Sequence, residues 1–320
     1  MTETTGHPLI YIIIVNWNGW RDTINCIESL MAVDYPNFVT LVIDNASTND
    51  SVEQIRSAFP DLLLLEMEKN LGFTGGNNTG INYALDNDAD YVLLLNNDVI
   101  VDPDFLSAMA EVMENEATIG ALNPKIYYLN HPEEDTFWAA GGKTNLWLAV
   151  NNNRGQDQID RGQFEKPAEI DFGTGCCLMI SREALDRTGL LDDAYFVYFE
   201  DADWSYRLRR AGLTVNYTPD AKIWHAVTAS SKAKVTGGGT LSPFVYYLAA
   251  RNQLWFVRSY ASYLQKITAY PAYFVRRILL NSAAFIVLRR WEKLQALWRG
   301  FFAGLKKKPD LIPQPVRRTG

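Results

Sequence analysis

Cysteine and histidine are scarce in this chain, three of each among 320 residues. Two of the cysteines, Cys176 and Cys177, are adjacent and the third is Cys26, which excludes a disulfide framework and the paired C-x-x-C spacing of zinc sites. A reducing cytosol is the compartment this implies. Long apolar runs are also missing. Residues 1–8 are polar with no basic-then-apolar signal pattern, and the apolar run at 9–15 is far too short to span a bilayer. The glycine-rich run at 70–80 is not followed by the Gly-Lys-Ser/Thr of a phosphate loop and the G-x-G-x-x-G of dinucleotide enzymes is absent, so phosphoryl transfer and hydride transfer both lose support. No internal repeat or low-complexity stretch is present.

The composition that remains, 48% hydrophobic and 21% charged, is that of a globular protein. A chain longer than the usual ~100–200 residues of one domain predicts one large α/β domain with an appendage. The net charge of -7 is unevenly spread: residues 263–320 hold twelve Lys or Arg against only Glu292 and Asp310. An acidic body with a basic tail argues for a surface-docking appendage and against a nucleic-acid enzyme.

Nearly continuous apolar runs at 10–15, 39–43, 62–65 and 91–95 read as strands buried on both faces. The stretches between them, 20–31, 51–59 and 76–85, read as helices. This alternation predicts a mainly parallel, Rossmann-like sheet with βα crossovers. In such sheets chemistry gathers beyond the carboxyl ends of the strands. Asn16-Trp17-Asn18, Asp44-Asn45-Ala46-Ser47, Asn70-Leu71-Gly72 and Asn96-Asn97-Asp98 follow the four runs in turn. Residues 122–170 read as mixed strands and loops shaping a substrate cleft, and the pattern turns helical from Pro243, over 244–261 and 271–305.

Several clusters have both a structural and a chemical reading. Asp44 and Ser47 suit a turn and a helix cap, or Asp44 accepts the imide N–H of a pyrimidine base. The run from Asn70 to Gly80 is a glycine-rich loop leading into a helix, a plain helix entry or a place where backbone N–H groups approach a nucleotide. Asp98, preceded by the amides of Asn96 and Asn97, is a solvated turn or a ligand for a hard divalent cation that also holds phosphates. Glu200, Asp201 and Asp203 follow an aromatic run at the start of a helix that stops at Gly212. They complement the helix dipole, and Asp203 can pair with Arg207. Carboxylates crowded against aromatics also gain proton affinity, which suits a general base. His225 is a structural or a metal-binding histidine. Gly173-Thr174-Gly175 reads as a tight turn before a buried strand, with Cys176 and Cys177 as core residues.

Taken in order, Val15-Asn16-Trp17-Asn18, Asp44-Asn45-Ala46-Ser47, Asn70-Leu71-Gly72-Phe73, Asn96-Asn97-Asp98, Gly173-Thr174-Gly175, Glu200-Asp201-Ala202-Asp203 and Arg251-Asn252 resemble glycosyltransferase family 2, especially its rhamnosyltransferase-like bacterial and archaeal members. The resemblance covers residues 10–258. It implies a GT-A fold, a nucleoside-diphosphate sugar donor, a divalent cation (Mg2+ or Mn2+) and inversion at the anomeric carbon. It further implies donor contacts from Asn16, Asn18, Asp44, Asn45, Asn70, Gly75, Asn78, Asn96, Asn97 and Arg251, with Asp98 and His225 at the metal. Asp201 is then the base that takes the acceptor proton, and Glu200 and Asp203 orient the acceptor or the base. Asn96 stands where many relatives carry a first aspartate, which shifts weight onto Asp98 and the donor phosphates.

The expected organisation is a catalytic domain over 1–242, with its nucleotide-sugar half to about residue 120 and its acceptor half from 121, followed by a helical region over 243–320. That region mixes aromatics with Arg276, Arg277, Arg289 and Arg290, and its longest uncharged stretch, 278–288, is too short to cross a bilayer. It reads either as an interfacial amphipathic helix or as packing against the catalytic domain or a second subunit. The enzyme is then cytoplasmic or peripheral at the cytoplasmic membrane face, with a glycan or polyprenyl-linked saccharide as acceptor. The rival readings are a nucleotidyltransferase, for which the loop after Val15 offers only Arg21, and a non-catalytic nucleotide-sugar-binding scaffold.

Overall fold

The structure, a computed structural model, describes residues 6–226 and 241–314. Part of the predicted acceptor half, 227–240, and the end of the basic tail with Arg317 and Arg318 lie outside the described residues. The first half alternates as its hydrophobic pattern predicts: β1 (Ile10–Asn16), α1 (Trp20–Leu30), β2 (Phe38–Asp44), α2 (Ser51–Ala58), β3 (Leu63–Glu66), α3 (Gly72–Asp86), β4 (Tyr91–Asn96), β5 (Val99–Val101) and α4 (Phe105–Asn115). Then come β6 (Ile119–Tyr128), β7 (Phe137–Ala139), the hairpin strands β8 (Gly142–Asn145) and β9 (Val150–Asn153), β10 (Ala168–Glu169) and β11 (Cys177–Ser181). These are followed by α5 (Arg182–Thr188), α6 (Glu200–Arg210) and β12 (Thr214–His225).

The main sheet runs β10-β12-β6-β11-β4-β1-β2-β3. β3, β2, β1 and β4 are parallel, and β11 enters antiparallel between β4 and β6. The chain winds outward from β1 to β3 and returns to β4 on the other side of β1, so the β1/β4 crevice is a topological switch point, where ligands of open α/β sheets sit. Period-two alternation explains the unbroken apolar runs. Ile10, Ile12 and Ile14 pack on one face with Cys26, Ile27 and Phe105, while Tyr11 and Ile13 pack on the other with Ile81 and Ala84. Each such buried side chain contributes about 1.5–3 kcal/mol, so the centre of the sheet is a rigid floor for its loops.

Two local expectations are corrected. The segment predicted as a glycine-rich loop is itself helix from Gly72 onward. Glycine is a poor helix former, but here close approach requires it: a Cβ on Gly75 would lie 2.4 Å from the Leu71 side chain. The C-terminal helices are α7 (Pro243–Tyr260), α8 (Tyr263–Tyr273), a π-helical turn (Phe274–Leu279), α9 (Leu280–Val287) and α10 (Trp291–Leu305). Pro271 therefore lies inside a helix that the Ser262–Gln265 capping box starts, instead of opening one. Among the described residues no helix is long and apolar enough to cross a membrane.

Candidate active site

At the ends of β1 and β2 the polar side chains form one network. Asp44 is buried and accepts from Asn16 Nδ2 (2.7 Å), Ser47 N (2.9 Å) and Ser47 Oγ (2.7 Å). Asn16 Oδ1 accepts in turn from Gly19 N and Thr23 Oγ1, which fixes the entry to α1. Asn18, with φ 58°, ties the two loops by accepting from Thr48 N at 2.8 Å. Left-handed backbone costs little for asparagine, which explains that residue type there.

The second cluster stands across the crevice. Asp98 Oδ1 lies 3.0 Å from His225 Nε2 at the end of β12, and Asn96 Nδ2 lies 3.5 Å from the same nitrogen. β5 pairs with β12 through Val99 and His225, so the sheet itself brings residues from two distant segments together. Trp138 packs edge to face on His225, with ring centroids 4.6 Å apart. Nδ1 of His225 is buried and finds no hydrogen-bond partner among the described residues. A carboxylate oxygen and an imidazole nitrogen at this separation fit neighbouring ligands of one divalent cation with bonds of about 2.1 Å. The described residues contain no group of three or more His, Cys, Asp or Glu able to hold a metal. Two protein ligands suit a cation completed by substrate phosphates and water. Asn97 faces away, donating to Gly19 O and Thr23 Oγ1.

The third cluster is the start of α6. Phe196, Tyr198 and Phe199 have φ of 69°, 71° and 73°, a left-handed geometry that costs bulky residues about 1–3 kcal/mol each. This strained turn presents Glu200 and Asp201 at the helix N-terminus. Asp201 is partly exposed and accepts from Ala202 N (2.7 Å) and Gly175 N (3.3 Å). Gly175 precedes β11, and Asn96 N donates to Cys176 O at 2.9 Å, so one short turn links Asp201 to the strand that leads to Asp98. Burial raises the pKa of Asp201 from its ordinary value, opposed by the N–H groups of Ala202 and Gly175. Burial pushes Glu200 up further, aided by Asp201 and Asp203, and its Oε2 has no hydrogen-bond partner among the described residues.

Asp203, expected to orient the acceptor or the base, is held on several sides by its neighbours. It is 2% exposed, and its oxygens are occupied by Arg207 Nε (2.9 Å), Tyr195 Oη (3.1 Å) and Tyr260 Oη (2.8 Å). It binds α6 to α7.

Several residues expected at the donor are engaged with neighbouring segments of the chain. The Asn45 amide donates to Asn70 Oδ1 and Gly72 O and accepts from Leu71 N. Asn78 donates to Leu191 O and Asp193 Oδ1. Arg251 donates to Ala194 O and Tyr195 O and lies over the Trp255 ring at 4.4 Å. No site role is legible in sequence for Trp138 or Asn123, nor for Gly175 or Asn252 beyond their place in the family's motifs. Asn123 bonds Thr174 N and O and holds the turn before β11, while Asn252 bonds three carbonyls of the strained turn. All three cysteines are buried, and burial pushes the Cys26 thiol up to about 12, so none is poised as a nucleophile.

Glu200 gives a stability test. Its folded-state pKa exceeds the unfolded value of about 4.3, so the folded protein holds that proton more tightly and loses stability as pH rises from one value through the other. Glu200→Gln is therefore expected to raise Tm at pH 7.5 and to leave it nearly unchanged at pH 4. Thermal melts across that range check the sign.

An open sheet with its switch point beside Asp98 and an acidic helix start facing it is the GT-A arrangement. The mannosyltransferase PcManGT from Pyrobaculum calidifontis, solved with GDP-Man and Mn2+, shares it over 94% of this chain and 88% of its own, with a TM-score of 0.56 at 16% identity. Residues 7–236 match the family described as "Glycosyltransferase like family 2", and the chain belongs to that family. It is a glycosyltransferase. It is 25% identical over 256 residues to the dTDP-rhamnosyl transferase of Shigella flexneri, covering 78% of this chain and 80% of that one. It is 28% identical over 231 residues to the N-acetylglucosaminyl-diphospho-decaprenol L-rhamnosyltransferase of Mycobacterium tuberculosis, covering 67% and 71%.

Proposed function

We propose that this chain transfers a hexose, rhamnose in the reading its relatives favour, from a nucleoside-diphosphate donor to a hydroxyl of a glycan or lipid-linked saccharide, with inversion. The observation that carries the reading is Asp201: a partly exposed carboxylate of raised proton affinity, tied through Gly175 to the strand that leads to Asp98. In the transfer, a bond forms between the acceptor oxygen and the sugar's C1 while the bond from C1 to the diphosphate oxygen breaks. The electron pair leaves with the diphosphate, and the acceptor proton passes to Asp201. A single displacement uses no protein nucleophile, in agreement with the neutral buried thiols.

Asp44 and Asn16 would bind a pyrimidine base, with Trp17, exposed in the loop after β1, beside them. Asp98 and His225 would hold a divalent cation, which when bound offsets charge on the departing diphosphate. The lipid-linked acceptor named for the Mycobacterium tuberculosis relative supports a saccharide carried on a polyprenyl diphosphate here, met at the cytoplasmic membrane face.

Isothermal titration with UDP, dTDP and GDP, each with Mn2+, Mg2+ or EDTA, tests the donor site. One diphosphate is expected to bind in a metal-dependent manner, with affinity falling at least about tenfold in Asp98→Ala. Binding of none of the three would replace catalysis by a scaffold role.

A further inference from the structure

α8, the π turn and α9 run on as one helix, because Tyr273, Phe274, Leu279 and Leu280 at the joints all keep right-handed helical backbone. Its length is about 37 Å at 1.5 Å per residue. The side facing the protein carries Ala269, Tyr273, Ile278, Ser282 and Phe285, all buried. The one five-residue step in that series falls in the π turn, which keeps the buried stripe in line.

The opposite side is apolar and uncovered. Leu264 is 63% and Val287 80% exposed, and Ile267, Val275, Leu279 and Leu280 are exposed between them. A helix on the surface of a soluble domain normally carries charges of both signs on this face. Here no Asp or Glu occurs from Tyr263 to Trp291, while Lys266, Arg276 and Arg289 are present.

A distant segment extends the same surface. At the tip of the β8–β9 hairpin Trp147 and Leu148 are about half exposed. Thr268 Oγ1 donates to Trp147 O at 2.8 Å, and Arg276 Nη2 to Ala149 O at 3.2 Å, so the hairpin tip is fastened beside the helix.

We propose that this composite surface docks in the plane of an anionic lipid bilayer. Trp147, Leu148 and the outward line of α8 and α9 enter the boundary between headgroups and acyl chains, and Lys266, Arg276 and Arg289 meet lipid phosphates. A second copy of the chain is the poorer occupant, because a two-fold contact would set this one-signed strip against itself with no acid on it to pair. Tyr and Trp at its borders, Tyr263, Tyr270 and Trp291, suit a surface that is apolar on one side and wet on the other. The proposal is independent of the transferase reading, since it needs neither donor nor acceptor.

The test is co-sedimentation of the full chain with vesicles of phosphatidylcholine alone or mixed with phosphatidylglycerol, alongside light scattering. Binding to the mixed vesicles at least tenfold tighter than to the neutral ones, weakened by salt, is expected. Leu264→Glu with Ile267→Glu should lower that affinity at least tenfold. So should Trp147→Ser with Leu148→Ser, which leaves the helix untouched and guards against a helix variant that fails to fold. A chain that stays in the supernatant with both vesicles overturns the proposal. A dimer that Ile267→Glu dissociates, with vesicle binding unchanged, overturns it in favour of a self-interface.

Discussion

Asp201→Asn is expected to lower turnover by about 1,000-fold while nucleoside-diphosphate affinity stays within about twofold of wild type. The amide has the shape of the carboxylate and keeps one of its two backbone hydrogen bonds, from Ala202 N or Gly175 N, so the turn before β11 stays close to its place. What it loses is the ability to accept a proton from the acceptor. Asp44 and Asp98, the residues proposed to hold the donor and its cation, stand at the ends of other strands, which is why binding and turnover should separate. The pH profile adds a second readout. A base works only when deprotonated, and the pKa of Asp201 is raised by burial, so wild-type activity should fall as pH drops through that raised value. The residual activity of the variant should lack this limb. Turnover above a tenth of wild type would move the base elsewhere, and Glu200, with its unpartnered Oε2, would be the residue to examine next.

The parts of this fold that sequence displays are those governed by burial along one segment. The parallel strands are buried on both faces, so Ile10 to Ile14 appear as an unbroken apolar run, and the polar residues that end it mark the edge of the crevice. The places of Asp98 and Asp201 in the fold are legible for the same reason, one just past a strand end and the other at a helix start. Contacts between distant segments are not legible. Nothing near Trp138 announces that it packs on His225, and Gly175 is 26 residues from the carboxylate it binds. The glycine-rich run has the helix propensity of a loop, and only tertiary packing makes it helix. Gly72 shows what decides it: its φ is +74°, and a Cβ there would lie 2.4 Å from Phe196 O. The partners of Asp203 beyond Arg207 are equally hidden in sequence. The residue sits among acidic neighbours there, but its side chain turns to Arg207 and Tyr260.

Asn252→Ala is expected to cost about 2–3 kcal/mol of stability, a fall of roughly 5 °C in Tm, and to lower kcat by about 100-fold with donor affinity retained. Asn252 is fully buried in α7, and its Nδ2 lies 3.0, 2.9 and 2.8 Å from the carbonyls of Tyr195, Val197 and Tyr198. Two hydrogens shared among three carbonyls, with Arg251 on Ala194 and Tyr195, hold a turn whose left-handed Phe196, Tyr198 and Phe199 would otherwise relax. Relaxation there rotates the start of α6, and with it Asp201, away from the turn that carries Gly175. Misplacement of a catalytic group by about 1 Å is enough for a loss of this size. Asn252→Asp separates positioning from packing, since it keeps the shape but offers no N–H donor, and it should be as inactive as the alanine variant. If both variants melt early yet keep kcat when assayed well below their Tm, Asn252 serves stability alone and the strained turn holds Asp201 in place without it.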